Sequence, residues 1–70
     1  MGTEVFFRTI RPVSTKRDDL LSIVLYPFLH KFVIHNNSAY AVLLTDDRSA
    51  IDRFVDETGL SVVECLDEPN

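Results

Sequence analysis

The 70-residue sequence has one cysteine and two glycines, and it lacks a long uninterrupted apolar run. The single cysteine, Cys65, excludes an internal disulfide, so no covalent cross-link supports the fold. Gly2 and Gly59 are too few for a glycine-rich phosphate-binding loop, which excludes nucleotide hydrolysis through such a loop. The longest apolar stretch, residues 20–29, contains a serine and a proline and is shorter than the roughly 20 residues of a membrane-spanning helix.

What remains is a composition typical of a small globular protein, with 46% hydrophobic and 26% charged residues. We expect one α+β domain over residues 1–66 and a disordered C-terminal tail over residues 67–70. The N-terminus has no basic stretch followed by a long apolar run, and a lone thiol suits a reducing compartment, so we expect a cytoplasmic protein. A chain this short is near the lower limit for a stable single core, which favours self-association.

Charge is distributed unevenly along the chain. Residues 1–35 contain five basic and three acidic side chains, a net charge of +2, whereas residues 36–70 contain two basic and eight acidic ones, a net charge of −6. The acidic half would repel phosphate, so nucleic acid is not an expected partner. Its carboxylates form either a solvated face or a surface that docks on a basic protein. The candidate partner-binding residues are Asp52, Asp56, Glu57 and Glu64.

The first half of the chain predicts a strand followed by a helix. Residues 5–10 are rich in β-branched and aromatic side chains, which favours a strand. Ser14 or Thr15 could cap the helix that follows. Pro27 is expected to kink this helix, with an end near Tyr26 as the alternative. An apolar stripe at helical spacing is predicted to face the sheet, and it consists of Leu20, Leu21, Val24, Leu25 and Phe28.

The second half predicts a hairpin, a helix and a last strand. The pair Asn36-Asn37 tolerates the left-handed backbone that a tight hairpin turn needs. Asp46 or Asp47 would cap the next helix, and Gly59 would end it in a left-handed conformation. The three strands are expected at residues 32–35, 39–45 and 60–64.

The order strand, helix, strand, strand, helix, strand predicts a ferredoxin-like βαββαβ plait, with two helices on one face of an antiparallel four-stranded sheet. The alternation within the strands puts apolar residues on both faces, so the face without helices would expose an apolar patch. We therefore expect a homodimer that uses this face or a strand edge. The interface candidates are Phe6, Phe7 and Tyr40.

Residues 39–64 comprise an apolar strand, the pair Asp46-Asp47, a short helix, Gly59 and a final strand. This part resembles the second half of ACT-type regulatory domains, which are ferredoxin-like. The resemblance implies a regulatory module that binds a small effector across a dimer interface. The family's glycine-containing effector loop corresponds here to residues 11–15, which contain no glycine, so the resemblance implies no effector-site residue in this chain.

Ferredoxin-like RNA-binding domains stack bases on aromatic residues of their first and third strands, where this chain has Phe6 or Phe7 and Tyr40. The acidic balance and the lack of a basic, glycine-aromatic pattern around Tyr40 argue against RNA binding. Packing in the core or at an interface explains the three rings without a bound base.

Residues able to perform chemistry are few. His30 and His35 have no cysteine or carboxylate close to them in sequence, whereas a zinc site needs three or four clustered ligands. Cys65, at a strand end, is more typical of a small buried side chain than of a nucleophile. We expect no catalytic residue, no metal site and no cofactor. A small dimeric enzyme would have only His30, His35, Arg8 and Cys65 to use.

The sequence thus favours a non-catalytic regulatory or protein-interaction module that forms a homodimer or binds a larger protein, with a small-molecule effector as a further possible partner. The alternative is a small acidic inhibitor or adaptor that docks its acidic face on a basic protein, as a nucleic-acid mimic would.

Overall fold

A computed structural model describes residues 2–70, so Met1 of the expected domain lies outside the described part. The elements in chain order are β1 (Val5–Thr9), α1 (Arg17–Val24), β2 (Leu29–His35), β3 (Ser38–Thr45), α2 (Arg48–Thr58) and β4 (Val62–Cys65). The four strands form one sheet in the order β2-β3-β1-β4, and every neighbouring pair is antiparallel. This arrangement confirms the predicted α+β ferredoxin-like plait.

The hydrophobic core lies between the two helices and one face of the sheet. Phe7 of β1 and Leu43 of β3 are directly paired, and both are buried together with Ile23 of α1 and Phe54 of α2. The ring of Phe54 packs edge-on against the ring of Tyr26, with the centroids 4.9 Å apart. Because successive strand side chains point to opposite faces, the neighbours of Phe7 and Leu43 point away from the helices.

The helix α1 differs from its prediction in length and in orientation. It ends at Val24, so the expected kink at Pro27 is wrong; proline cannot continue the hydrogen-bond ladder, and it disfavours helical backbone at the preceding residue. Ile23 is buried and Leu20 packs against the core. The predicted stripe is therefore wrong in part, because three of its five residues are exposed: Leu21 by 50%, Val24 by 48% and Leu25 by 80%.

The start of α1 also differs from the prediction. Lys16 is the N-cap residue and its side chain makes no capping hydrogen bond. The hydroxyl of Ser14 instead accepts a hydrogen bond from the backbone N–H of Lys16, at 3.2 Å. The early end of α1 leaves β2 free to begin at Leu29, three residues before the predicted start.

The predictions for the hairpin and for α2 are confirmed. Asn36 and Asn37 have φ angles of 51° and 64°, the two left-handed residues that a type I′ turn requires. Gly59 follows α2 with a φ of 72°, and its N–H donates to the carbonyl of Val55. No helix within residues 2–70 is long and apolar enough to cross a membrane.

Asp47, rather than Asp46, caps α2. Its Oδ1 accepts hydrogen bonds from the N–H groups of Ser49 at 2.9 Å and Ala50 at 3.3 Å. We expect Asp47→Ala to lower the free energy of unfolding by about 1 kcal/mol, because two helix N–H groups lose their acceptor. Urea denaturation followed by circular dichroism measures the change. Asp46→Ala removes the same charge without removing a cap, and equal losses for the two variants would contradict this assignment.

Candidate functional site

The sheet has one face without helices, called here the helix-free face. It presents Phe6 and Arg8 of β1, Lys31 and Val33 of β2, Tyr40 and Val42 of β3, and Val63 of β4. One row crosses all four strands, because Arg8 is paired with Val63 on one side and with Val42 on the other, and Val42 is paired with Lys31. Two full positive charges therefore flank a valine at the centre of the face.

Arg8 and Tyr40 form a contact on this face. The guanidinium carbon of Arg8 lies 5.2 Å from the centroid of the Tyr40 ring, a cation–π distance. The Nε of Arg8 is buried and has no hydrogen-bond partner within residues 2–70. Val42 and Val33 are buried although no helix covers them, since their neighbours on this face include long side chains. The two valines are thus shielded from solvent, and the Arg8 guanidinium lies over the Tyr40 ring on the same face.

The C-terminal segment reaches the opposite edge of the sheet. The Oε2 of Glu68 accepts a hydrogen bond from the Nζ of Lys31 at 2.5 Å and lies 3.4 Å from the Nε2 of His30. The hydrogen bond from Lys31 lowers the pKa of the Glu68 carboxyl, and His30 acts in the same direction. The ring of His30 packs edge-on against Phe6, with the centroids 5.3 Å apart. Since β4 and β2 are opposite edge strands, residues 66–68 cross the sheet to make this contact.

The three interface candidates separate onto the two faces of the sheet. Phe6 and Tyr40 are half-buried and belong to the helix-free face. Phe7 is only 4% exposed and packs in the core under the helices, so it does not reach that face. Alternation along β1 accounts for the separation, because adjacent residues of a strand cannot share a face.

The candidate acidic residues also divide into two groups. Asp52 and Glu64 line a shallow groove of about 360 Å³ between α2 and β4, where Glu64 forms an ion pair with Arg48. Glu57 faces α1 instead, and its Oε1 accepts a hydrogen bond from the Tyr26 hydroxyl at 2.6 Å. This bond, with a contribution from burial, raises the pKa of Tyr26 to about 12. Asp56 is exposed on α2.

A larger groove of about 590 Å³ lies between α2 and the loop that joins α1 to β2. Tyr26 and Phe28 line its apolar side, and four charged residues, Glu4, Asp47, Arg53 and Glu57, line the rest. The sequence did not predict this groove, because it depends on the end of α1 before Pro27. Its size and mixed lining suit a small molecule that carries a positive charge.

The four residues considered for catalysis belong to the helix-free face or its rim. Three of them, Arg8, His30 and Cys65, contact other residues of the chain. Arg8 lies over Tyr40, and His30 contacts Phe6 and Glu68. The Sγ of Cys65 lies 3.7 Å from the carbonyl oxygen of Val63, and the thiol is free. His35 is exposed at the hairpin end of β2. Residues 2–70 contain no group of three or more His, Cys, Asp or Glu side chains that could hold a metal ion.

Comparisons with protein-family models, with curated proteins and with solved structures found no match. The chain is therefore classified from its own fold and surfaces. It is an α+β ferredoxin-like domain whose helix-free face combines apolar and basic side chains. The similarity to ACT-type domains stays a prediction.

Proposed function

We propose that this chain is a non-catalytic protein-interaction module that acts as a homodimer, joined through the outer edge of β2 and the adjoining side of α1. The observation that carries the proposal is a set of exposed apolar side chains, three of them in or directly after α1 and one on β2, whose outer edge is open. Its members, called here the α1–β2 patch, are Leu21, Val24, Leu25 and Ile34. Ile34 is 69% exposed, and a chain of this size gains stability when such a surface is covered.

The position of α1 supports this grouping. The helix α2 lies beside β4, as the Arg48–Glu64 ion pair indicates, so α1 covers the β2 side of the sheet. Ser22 and Ile23 of α1 line a groove toward α2. Val24 lies on the other side of the helix from Ser22, toward β2, whereas Leu21 and Leu25, each two positions from the buried Ile23, point away from the sheet.

The open edge of β2 favours a second copy of this chain as the molecule that covers the patch. The strand pairs with β3 along one edge only, so the backbone groups of its other edge have no strand partner within residues 2–70. Antiparallel pairing of two β2 strands would satisfy these groups and join the same patch of each copy, as a two-fold dimer requires. A stable interface buries about 800 Å² per partner. That is roughly a sixth of the 4980 Å² accessible surface of the chain.

The helix-free face is a poorer dimer interface. A two-fold contact through its centre would bring Arg8 and Lys31 close to their own copies, and like charges in contact are unfavourable. Dimerisation through the β2 edge leaves this face open to another partner. We place the module in the cytoplasm, where its free thiol at Cys65 would stay reduced. The 590 Å³ groove offers a place for a small-molecule effector, which would make the module regulatory.

The acidic inhibitor or adaptor is our second candidate. Asp52 and Asp56 are exposed and support it. Two of its four proposed residues already have partners within the chain, since Glu64 pairs with Arg48 and Glu57 accepts from Tyr26. The acidic surface that remains for a basic protein is therefore small, which favours the homodimeric module.

The test is the oligomeric state of the purified full chain. We expect a dimer at micromolar concentration and a monomer for Ile34→Asp, with at least a tenfold rise in the dimer dissociation constant, because a carboxylate would be buried in the apolar contact. Sedimentation equilibrium measures this constant.

Val63→Asp is the matched control for this test. Val63 is a 43% exposed apolar strand residue of the helix-free face, outside the α1–β2 patch. A wild-type monomer at micromolar concentration would overturn the proposal. A dimer that Val63→Asp splits and Ile34→Asp leaves intact would overturn it as well, in favour of the helix-free face.

A further inference from the structure

We infer that the helix-free face binds an acidic polypeptide segment, and that Glu68 occupies one carboxylate position of this site in the free protein. The inference deepens the proposed function and rests on it in one respect: the dimer must leave the helix-free face accessible. It concerns the partner's chemistry, and its test uses residues outside the α1–β2 patch.

The contacts of Glu68 show that one corner of the face holds a carboxylate. Lys31 donates to the Glu68 carboxylate at 2.5 Å, and the Nε2 of His30 lies 3.4 Å from the same oxygen. His30 is in turn held by its edge-on contact with Phe6. The carboxylate thus meets two nitrogen groups from adjacent residues of β2, at the point where the pairing of β2 with β3 shifts register between Leu29 and Lys31.

Arg8 provides a second cationic group in the same row of the sheet. Lys31 and Arg8 flank Val42 on neighbouring strands, so their backbones lie about 10 Å apart at the usual strand spacing. The Arg8 guanidinium lies over the Tyr40 ring and makes no ion pair within residues 2–70. An extended peptide advances about 3.3 Å per residue, so two carboxylates two or three residues apart could reach Lys31 and Arg8 together.

Charge and polarity favour a polypeptide over a nucleic acid. The face offers two full positive charges, too few for the run of phosphates in a nucleic acid. A peptide with a few carboxylates matches two cations. Its apolar side chains can also cover Val63, which is 43% exposed, and Ile10 beside it, which is 54% exposed.

The tail competes with such a peptide for Lys31. The side chains of Lys31 and Glu68 are 34% and 45% exposed, so their ion pair is weak and readily displaced. A partner's carboxylate replaces that of Glu68 without a change in the fold. Removing the charge of Glu68 should therefore tighten peptide binding by about two- to fivefold, the range expected for an exposed ion pair.

The test is fluorescence anisotropy of a labelled hexaglutamate peptide titrated with the full chain at low ionic strength. We expect Glu68→Gln to lower the dissociation constant about two- to fivefold relative to the wild type. Asp67→Asn is the matched control, because it removes the same charge from the adjacent tail residue, which makes no ion pair within residues 2–70. Its dissociation constant should equal that of the wild type.

Two further substitutions locate the site. Lys31→Gln and Arg8→Gln should each weaken hexaglutamate binding about two- to fivefold, whereas Arg53→Gln removes a positive charge from α2 and should leave the constant unchanged. Equal losses in all three variants, or no binding of hexaglutamate, would overturn the inference. Tighter binding of a hexauridylate strand than of hexaglutamate would overturn it in favour of nucleic acid.

These outcomes can be separated from those of the dimer test. Ile34→Asp reports on the dimer, and none of the variants used with hexaglutamate touches the α1–β2 patch. If the chain is a monomer that still binds hexaglutamate through Lys31, the dimer proposal fails and the present inference holds.

Discussion

Phe54→Ala should lower the free energy of unfolding by about 3–5 kcal/mol, the usual cost of truncating a buried phenylalanine. Phe54 is completely buried, and its ring packs edge-on against Tyr26 at 4.9 Å and against Phe28 at 6.2 Å. A domain of 70 residues has a total stability of about 4–10 kcal/mol. The cost is therefore a large fraction of the whole, and it leaves the variant with a free energy of unfolding of at most about 7 kcal/mol.

Urea denaturation followed by circular dichroism measures this loss. Phe54→Leu, which keeps much of the buried volume, should lose markedly less than Phe54→Ala. Val63→Ala is a surface control, since Val63 is 43% exposed, and it should change stability by no more than about 0.5 kcal/mol. A Phe54→Ala protein as stable as Val63→Ala would contradict the central place of this ring in the core.

Thr9→Val should lower the free energy of unfolding by about 1–3 kcal/mol, although the two side chains have nearly the same shape. Thr9 is completely buried, and its Oγ1 accepts a hydrogen bond from the N–H of Ala41 at 3.1 Å. The backbone pairing of β1 with β3 ends one position earlier, at Arg8 and Val42. At Ala41 the hydroxyl of Thr9 therefore takes the place of a backbone carbonyl as the hydrogen-bond acceptor. Valine would leave a buried N–H without a partner.

The matched control for Thr9→Val is Thr9→Ser, which keeps the hydroxyl and removes a methyl group. We expect Thr9→Ser to lose less than Thr9→Val, because the hydrogen bond survives. Chemical denaturation gives both values, and amide hydrogen exchange at Ala41 should speed up for the valine variant alone. A larger loss for serine would mean that methyl packing, rather than the hydrogen bond, dominates at this position.

The parts of the fold that local chemistry determines were predictable from sequence. The Asn36-Asn37 turn, the aspartate cap of α2 and the left-handed Gly59 each depend on a few adjacent residues, and each is confirmed. The orientation of α1 was not predictable from its apolar spacing. That spacing was counted across Pro27, whereas the helix has eight residues and ends at Val24. With a helix so short, apolar residues on two sides fit the pattern equally well, and tertiary packing chooses between them.

The candidate site was predictable in position and not in detail. Strand alternation put Phe6 and Phe7 on opposite faces of the sheet, but without the register of β1 against β3 it could not say which of them shares a face with Tyr40. The contact of Glu68 with Lys31 joins residues 37 positions apart. A contact of that kind depends on the order of strands in the sheet, and no local pattern in the sequence reports it.

The strand order also sets a kinetic order for folding. The β2–β3 hairpin closes through a two-residue turn, so it can form within microseconds. The central strand β1 must wait for distant partners, since Phe7 pairs with Leu43, 36 residues away, and with Glu64, 57 residues away. Long loops close slowly, so β4 should be the last strand to dock. Until β4 docks, β1 is itself an edge strand with unpaired backbone groups. The partly folded sheet is therefore most prone to pair with another chain along the edge of β1 that β4 covers in the native protein.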